Sequence, residues 1–429
     1  MIRPSLGERP AGAIASARRQ ALVERLDTPA APMLVAGASA TAFVLARWLV
    51  AAHRNLSRFI VVGSRYSDAH RRASLPPVTK GSGYDGQFYY RLALDPFDLR
   101  RTAYGIRLDS ISRTERIGYP FLSWLVSLGH HGAVPLAMVI VNVLACSVLA
   151  LAGGLMAKSV ERHALYGLAL AGYWGYLWTI GRDLVELTAA AFLILGFAAL
   201  LRRRPTWAGL AFVGAVLSKE TAVLMVGVLA LTTLAMRMAR QRCRWDRPLL
   251  STAGNVATSP APAALTLSRA LVGPANIAFV LPLGAFVGWQ VVLVLATHHL
   301  PIYKSGGENL ALPFVGLAHG ISHYLSLFPS VSSALWFGEL ALLVVLSVSA
   351  AASVRACPVE LRPAWVVALA LAACTAVGIW LGDVGFRSLD LVYLMGWTVL
   401  LFRKGTLLPW LVLCGGAWIV VAVELVRFI

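Results

Sequence analysis

Residues 133–156 read AVPLAMVIVNVLACSVLALAGGLM, without a single charged side chain. An uninterrupted apolar run of about 18 or more residues, at about 1.5 Å per residue, is long enough to cross the hydrocarbon core of a bilayer. This stretch therefore reads as a membrane-spanning helix, and it does not stand alone. Similar apolar segments occupy roughly 33–52, 164–180, 185–201, 206–218, 221–236, 275–298, 331–354, 364–381, 388–402 and 406–426. The composition agrees, with 58% hydrophobic and 14% charged residues. A soluble chain carries about 45–50% apolar and about 25% charged residues. A β-barrel would show short alternating segments instead. The expected fold is an all-α polytopic membrane protein with about eleven transmembrane helices.

The 429 residues carry a net charge of +18. No nucleic-acid-binding motif accompanies that charge, and its placement fits the positive-inside bias of membrane proteins. Arg3, Arg9, Arg18, Arg19 and Arg25 lie in residues 1–32, which have no apolar core segment and read as a cytoplasmic tail rather than a signal peptide. With the N-terminus inside, every later short basic cluster also falls inside. These clusters are Lys158 with Arg162, Arg202 to Arg204, the run from Arg237 to Arg247, Arg355 with Arg362, and Arg403 with Lys404. The 53–132 segment then lies outside as a long first loop. Its apolar stretch IGYPFLSWLVSLG (117–129) is too short to span and reads as a helix in the outer interface. Residues 33–238 form a front module and 239–274 a cytoplasmic linker, Ala-, Pro- and Ser-rich over 247–274. Residues 275–429 form a second module. None of the five cysteines belongs to a CxxC pair, so neither a disulfide nor a zinc site is expected.

In this topology the unusual polar residues gather outside. Residues 83–97, GYDGQFYYRLALDPF, set one acid, Asp85, among aromatics in an otherwise bland chain. The same loop carries Arg116, and the later outer loops add Arg182, Asp183 and Glu186, then Lys219 and Glu220, then Lys304, Glu308 and His319, then Asp383 and Arg387. Ionisable residues close to a membrane mark sites more often than ornament. Cations from several loops can cradle a phosphate, arginine as a planar fork and lysine as a point charge. A lone carboxylate suits a general base. Tyr84 and Tyr89 can stack on a sugar face, and Gln87 can hydrogen-bond it. The combination describes displacement at a carbon that bears a phosphate leaving group.

Several of these features resemble the GT-C superfamily of membrane glycosyltransferases that use polyprenyl-phosphate sugars. They are the in-to-out first span, GYDGQFYYRLALDPF followed by RIGYPFLSWLVSLG, RDLVELTAAAFLILGFAALLRRR (182–204) and GLAFVGAVLSKETAVLM (209–225). The likeness is to a bacterial branch linked to cell-surface glycopolymers. It covers about residues 33–236 and, beyond them, little more than GGENLALPFVGL (306–317). It implies an inverting transfer from a polyprenyl-phosphate sugar to a glycan or lipid-linked acceptor, on the outer side of a bacterial inner membrane. It further implies Asp85 as catalytic base and a donor phosphate held by Arg182, Lys219, Lys304 and Arg387. Many relatives carry a paired acidic motif in this loop, whereas Asp85 has no acidic neighbour, and the large soluble C-terminal domain of some relatives is missing. Both departures disfavour a tightly bound divalent metal, and no other cofactor is implied.

Plainer readings compete at each position. Asp85 can simply cap the helix that DGQFYYRLAL begins. Arg182 and Glu186, at i and i+4, can pair with each other. Asp183 can cap the following helix, and Lys219 with Glu220 can be a solvated hairpin tip. Asp95, before Pro96, ends its helix. His319 and His323 share a helix face at metal-ligand spacing but have no third ligand nearby. At the level of function, the alternatives are a lipid or glycan flippase and a non-catalytic envelope scaffold. A transporter places its site near the bilayer midplane between internal repeats. No such repeat is visible here, and Glu339 is the main charge inside a span.

Overall fold

The computed structural model describes residues 24–245, 276–303, 309–381 and 385–427. Lys304, Glu308, Asp383 and most of the expected linker lie outside the described residues. In chain order the helices are α1 (Ala30–Val50), α2 (Gly86–Leu94), α3 (Gly118–Val126), α4 (Val134–Ser159), α5 (Leu168–Ala171), α6 (Gly175–Gly181), α7 (Glu186–Leu201) and α8 (Pro205–Ser218). They continue as α9 (Thr221–Trp245), α10 (Ile277–Thr297), α11 (Val315–Ser326), α12 (Val331–Ser353), α13 (Arg362–Ala373), α14 (Val377–Trp380), α15 (Asp390–Leu401) and α16 (Leu408–Arg427).

Five helices are long and apolar enough to cross a membrane: α1, α4, α10, α12 and α16. The protein is therefore a helical, membrane-embedded one. Helices α7, α8 and α13 and the first part of α9 are apolar but shorter. Two expected spans are not single helices. The 164–180 segment is a 3-10 turn, Ala164–Gly167, followed by α5 and α6, with Gly172 ending α5. The 364–381 segment breaks between α13 and α14. Its freed backbone groups find partners in the chain at 309–314. Ala376 N–H donates to Asn309 O at 3.0 Å, and Ala311 N–H to Cys374 O at 2.7 Å. Non-helical backbone survives inside a membrane protein only where neighbours satisfy it in this way. The 388–402 segment forms α15, twelve residues long and buried at every one of them. It is a core helix, packed against α12 and α13. The main bundle is built from α7 on α8 and α4, α8 on α10, and α4 on α1.

The 53–132 loop is a folded cap. Two tiny sheets, β1 (Val62–Gly63) with β2 (Val78–Thr79) and β3 (Thr102–Ala103) with β4 (Ile106–Arg107), flank α2. The cap has its own core of Ile60, Phe88, Tyr89, Leu108 and Tyr119, rooted on Val134 and Met138 of α4. Helix α3 leaves Leu125 and Val126 exposed, with Leu128 just beyond it, as an interfacial helix would. Helix α2 does not: all nine of its residues are buried. It stops at Leu94, and Asp95 turns extended before Pro96, as the sequence predicts.

Candidate functional site

Asp85 stands immediately before α2, in the N-cap position, yet its side chain makes no capping hydrogen bond. The capping reading is therefore wrong. Its carboxylate pairs instead with two arginines: Oδ1 lies 2.9 Å from Arg113 Nη2 in an ion pair, and Oδ2 accepts from Arg387 Nη2 at 2.7 Å. The glycine that follows explains the YDG sequence. A Cβ on Gly86 would lie 2.2 Å from the carbonyl oxygen of Arg182, so only glycine lets the two segments meet.

Both arginines are held in place by other contacts. Arg113 sits on the 3-10 turn Ile111–Glu115. Helix α10 fixes that turn, with Trp289 Nε1 donating to Thr114 O at 3.1 Å and Gln290 Nε2 to Glu115 Oε1 at 2.9 Å. Asp109 also grips the Arg113 guanidinium, through Nε at 3.0 Å and through the same Nη2 that faces Asp85 at 2.9 Å. Arg387 lies on the 3-10 turn Gly385–Leu389, where the Tyr173 hydroxyl donates to the Phe386 carbonyl. Its Nη1 reaches Glu186 Oε1 at 3.2 Å. Glu186 thus pairs with Arg387 and not, as i,i+4 spacing suggested, with Arg182.

The Lys219–Glu220 tip between α8 and α9 is not solvated. Arg116 takes Glu220 as a bidentate partner at 2.6 and 2.8 Å and reaches the Tyr89 hydroxyl at 3.0 Å. Lys219 Nζ donates to Asp390 Oδ1 at 3.2 Å, with both side chains buried. The α8 end can approach the cap because residue 118 is glycine, where a Cβ would come within 2.4 Å of Ser218 Oγ. Two buried pairs therefore tie the tip to the cap and to α15.

These contacts shift the titrations. Burial alone would raise the Asp85 carboxyl, but Arg113, Arg387 and Arg116 overcome it and hold it well below the usual carboxylate range. For Glu220, burial is likewise outweighed by Arg116, which brings it down to about 2. The partner carboxylates outweigh burial at Arg387, Arg113 and Arg116, which are pushed up. Burial raises Tyr84 to about 12.

The groups surround one cavity of about 270 Å³. Asp85, Arg113, Arg116, Lys219, Glu220 and Arg387 line its polar end. Ala368, Leu371 and Ala372 of α13 and Leu391 and Val392 of α15 make an apolar wall. About 20% of the Asp85 side chain remains accessible, enough for a reacting group to reach it.

The remaining sequence candidates fall elsewhere. Tyr84 lies between Arg182 and Arg387, each guanidinium 5.2–5.3 Å from its ring. Arg182 also covers Trp178 and lines a second cavity, of about 330 Å³, with Trp336, Phe386, Glu339 and Glu424. Gln87 is structural: its Oε1 accepts from Gly63 N–H at 3.0 Å and its Nε2 donates to Ser82 O at 2.8 Å. Asp183 is fully buried at a φ of +53°, with the Tyr119 hydroxyl 3.4 Å away, and Val185 rather than Asp183 stands at the N-cap of α7. Burial pushes the Asp183 carboxyl well up. It lines neither cavity. His319 and His323 are exposed, and neither lines the site. Among the described residues no three His, Cys, Asp or Glu side chains are grouped to hold a metal ion. Arg113 was missed in sequence: in DSISRTERIG it looks like any loop arginine, although its i,i+4 spacing from Asp109 is a signal. No protein-family model matches the chain, and no curated protein matches it at a significant level, so its reading rests on the geometry of the site.

Proposed function

We propose that the protein is an inverting glycosyltransferase of GT-C type, taking a sugar from a polyprenyl-phosphate donor on the outer face of a bacterial membrane. The observation that carries this reading is the single cavity with a carboxylate among cations at one end and an apolar wall along the other. That is the polarity of a lipid phosphate. The prenyl chain lies along α13 and α15, and the phosphate meets Arg113, Arg116, Lys219 and Arg387. Asp85 takes the proton of an acceptor hydroxyl as its oxygen bonds to the anomeric carbon. The bond from that carbon to the phosphate oxygen breaks, and the electron pair stays on the phosphate. The aromatic faces and carboxylates of the second cavity suit the acceptor glycan.

A flippase would use the same lipid polarity, and a scaffold would need neither the base nor the cavity. The test is transfer in nanodiscs, which have no compartments and so register chemistry but not transport. Purified protein is given a panel of polyprenyl-phosphate sugars with membrane glycolipids as acceptors. Wild type transfers sugar with at least one donor, and folded Asp85→Asn loses at least about 100-fold, the scale of a lost general base. Equal rates in the two proteins would remove Asp85 from the chemistry.

A further inference from the structure

Among the described residues, the four cations around the cavity already face five carboxylates, too many for simple phosphate binding. Each cation lining it already has a carboxylate: Arg113 has Asp85 and Asp109, Arg387 has Asp85 and Glu186, Arg116 has Glu220, and Lys219 has Asp390. An anionic ligand gains most from these cations where it displaces one of those partners. The partners differ in how replaceable they are. Asp109 grips Arg113 through two nitrogens, and Glu220 grips Arg116 the same way. Asp85 alone is shared by two guanidiniums, one through each oxygen, and each guanidinium has a second carboxylate to hold it in place. Asp85 also faces the cavity directly.

We infer that Arg113 and Arg387 exchange Asp85 for the donor phosphate, so that Asp85 becomes a base only once the donor is in place. The inference rests on the glycosyltransferase reading and adds Arg113 to the phosphate ligands. Charge follows the chemistry through the exchange. The donor is a phosphodiester with one negative charge, beside Asp85 with one. After transfer, Asp85 holds the acceptor proton and is neutral, and the leaving prenyl phosphate is a dianion. The total is unchanged, and the charge has moved from the carboxylate to the phosphate. The two guanidiniums move their pairing with it and so stabilise the departing group. A carboxylate held by two arginines is a poor proton acceptor, which guards against premature deprotonation of an acceptor or of water. Among the described residues the other groups around Asp85 are Arg116, Tyr84 and, across Arg387, Glu186, and none of them makes a hydrogen bond to Asp85.

The test is binding of farnesyl phosphate, a short prenyl phosphate, to purified protein by calorimetry. If Asp85 competes with phosphate, Asp85→Asn binds farnesyl phosphate about tenfold tighter than wild type, although it is inactive, and Arg113→Ala binds at least about tenfold weaker. A carboxylate that merely orders the arginines predicts the opposite sign for Asp85→Asn. Asp85→Ser, also neutral, serves if the asparagine variant does not fold. Wild-type binding with unchanged or weaker binding in the neutral variants overturns the exchange and leaves the glycosyltransferase reading standing. Unchanged binding in Arg113→Ala overturns it as well. Failure of wild type and of both neutral variants to bind farnesyl phosphate at all removes both.

Discussion

At Gly86 the chain has no room for a side chain, because the Arg182 carbonyl occupies the place of its Cβ. Gly86→Ala should therefore push Asp85 away from Arg387, costing about 1–3 kcal/mol of stability and most of any transfer activity. Thermal unfolding with a parallel assay checks both, and an unaltered protein would contradict the close approach. Asp183 gives a prediction of opposite sign. Its carboxyl is pushed up by burial, so its contribution to stability is full below about 3.9, the unfolded value, and is lost as pH rises through the folded value. Asp183→Asn should be at least as stable as wild type at pH 7 and should lose that advantage near pH 4. A destabilised variant at neutral pH would show that the ionised form is the one held. These residues also show what was readable in sequence. Asp85 stood out because an acid among aromatics is conspicuous in an apolar chain. Arg113 did not, because its position depends on Trp289 and Gln290, far along the chain. Asp183 likewise finds its partner, Tyr119, on a distant helix, α3.

Pairs between elements hold the site together. Arg116 ties the cap to the α8–α9 tip through Glu220. Glu220→Gln leaves a buried guanidinium unmatched and should cost about 3–5 kcal/mol, whereas Arg116→Met with Glu220→Met together should cost far less. Double-mutant unfolding in detergent measures this, and additive losses would mean the two residues do not interact. Acid should act on the same pair. The Glu220 carboxyl is held at about 2, so its stabilisation is complete above about 4.3 and disappears as pH falls toward 2. Helix boundaries were partly legible at this scale. The long runs α1, α4, α10, α12 and α16 follow directly from long, predominantly apolar sequence. The breaks at 172 and 374–376 did not show, because apolar composition does not say where a helix gives way to a neighbour's backbone. The core position of α15 was hidden for the same reason, since a twelve-residue apolar run reads alike in lipid and in protein.

Across the whole molecule, the cap and the bundle have separate hydrophobic cores that meet along α4. The basic-loop reading places the cap outside. In a cysteine-free background, a cysteine at the exposed Arg101 should react with an impermeant maleimide on intact cells. One at the exposed Arg203 should react only after permeabilisation. The reverse pattern would invert the topology and put the cavity on the cytoplasmic side. The class of the molecule was legible from composition and periodicity alone. The cavity was not, because it is assembled from the cap, the α8–α9 tip, α13 and the Gly385–Leu389 turn, segments far apart in sequence, with Asp85 and Arg387 302 residues apart.

The central claim is that this one cavity holds a lipid phosphate beside Asp85. Photo-crosslinking tests it directly, using a prenyl phosphate with a diazirine on its chain, followed by peptide mapping. The account predicts label on α13 and α15, around Ala368, Leu371, Ala372 and Val392, competed away by unlabelled prenyl phosphate and reduced in Arg113→Ala. Specific label gathered instead on the apolar cavity between α1 and α16, at Ala36, Leu411 and Trp418, would contradict it.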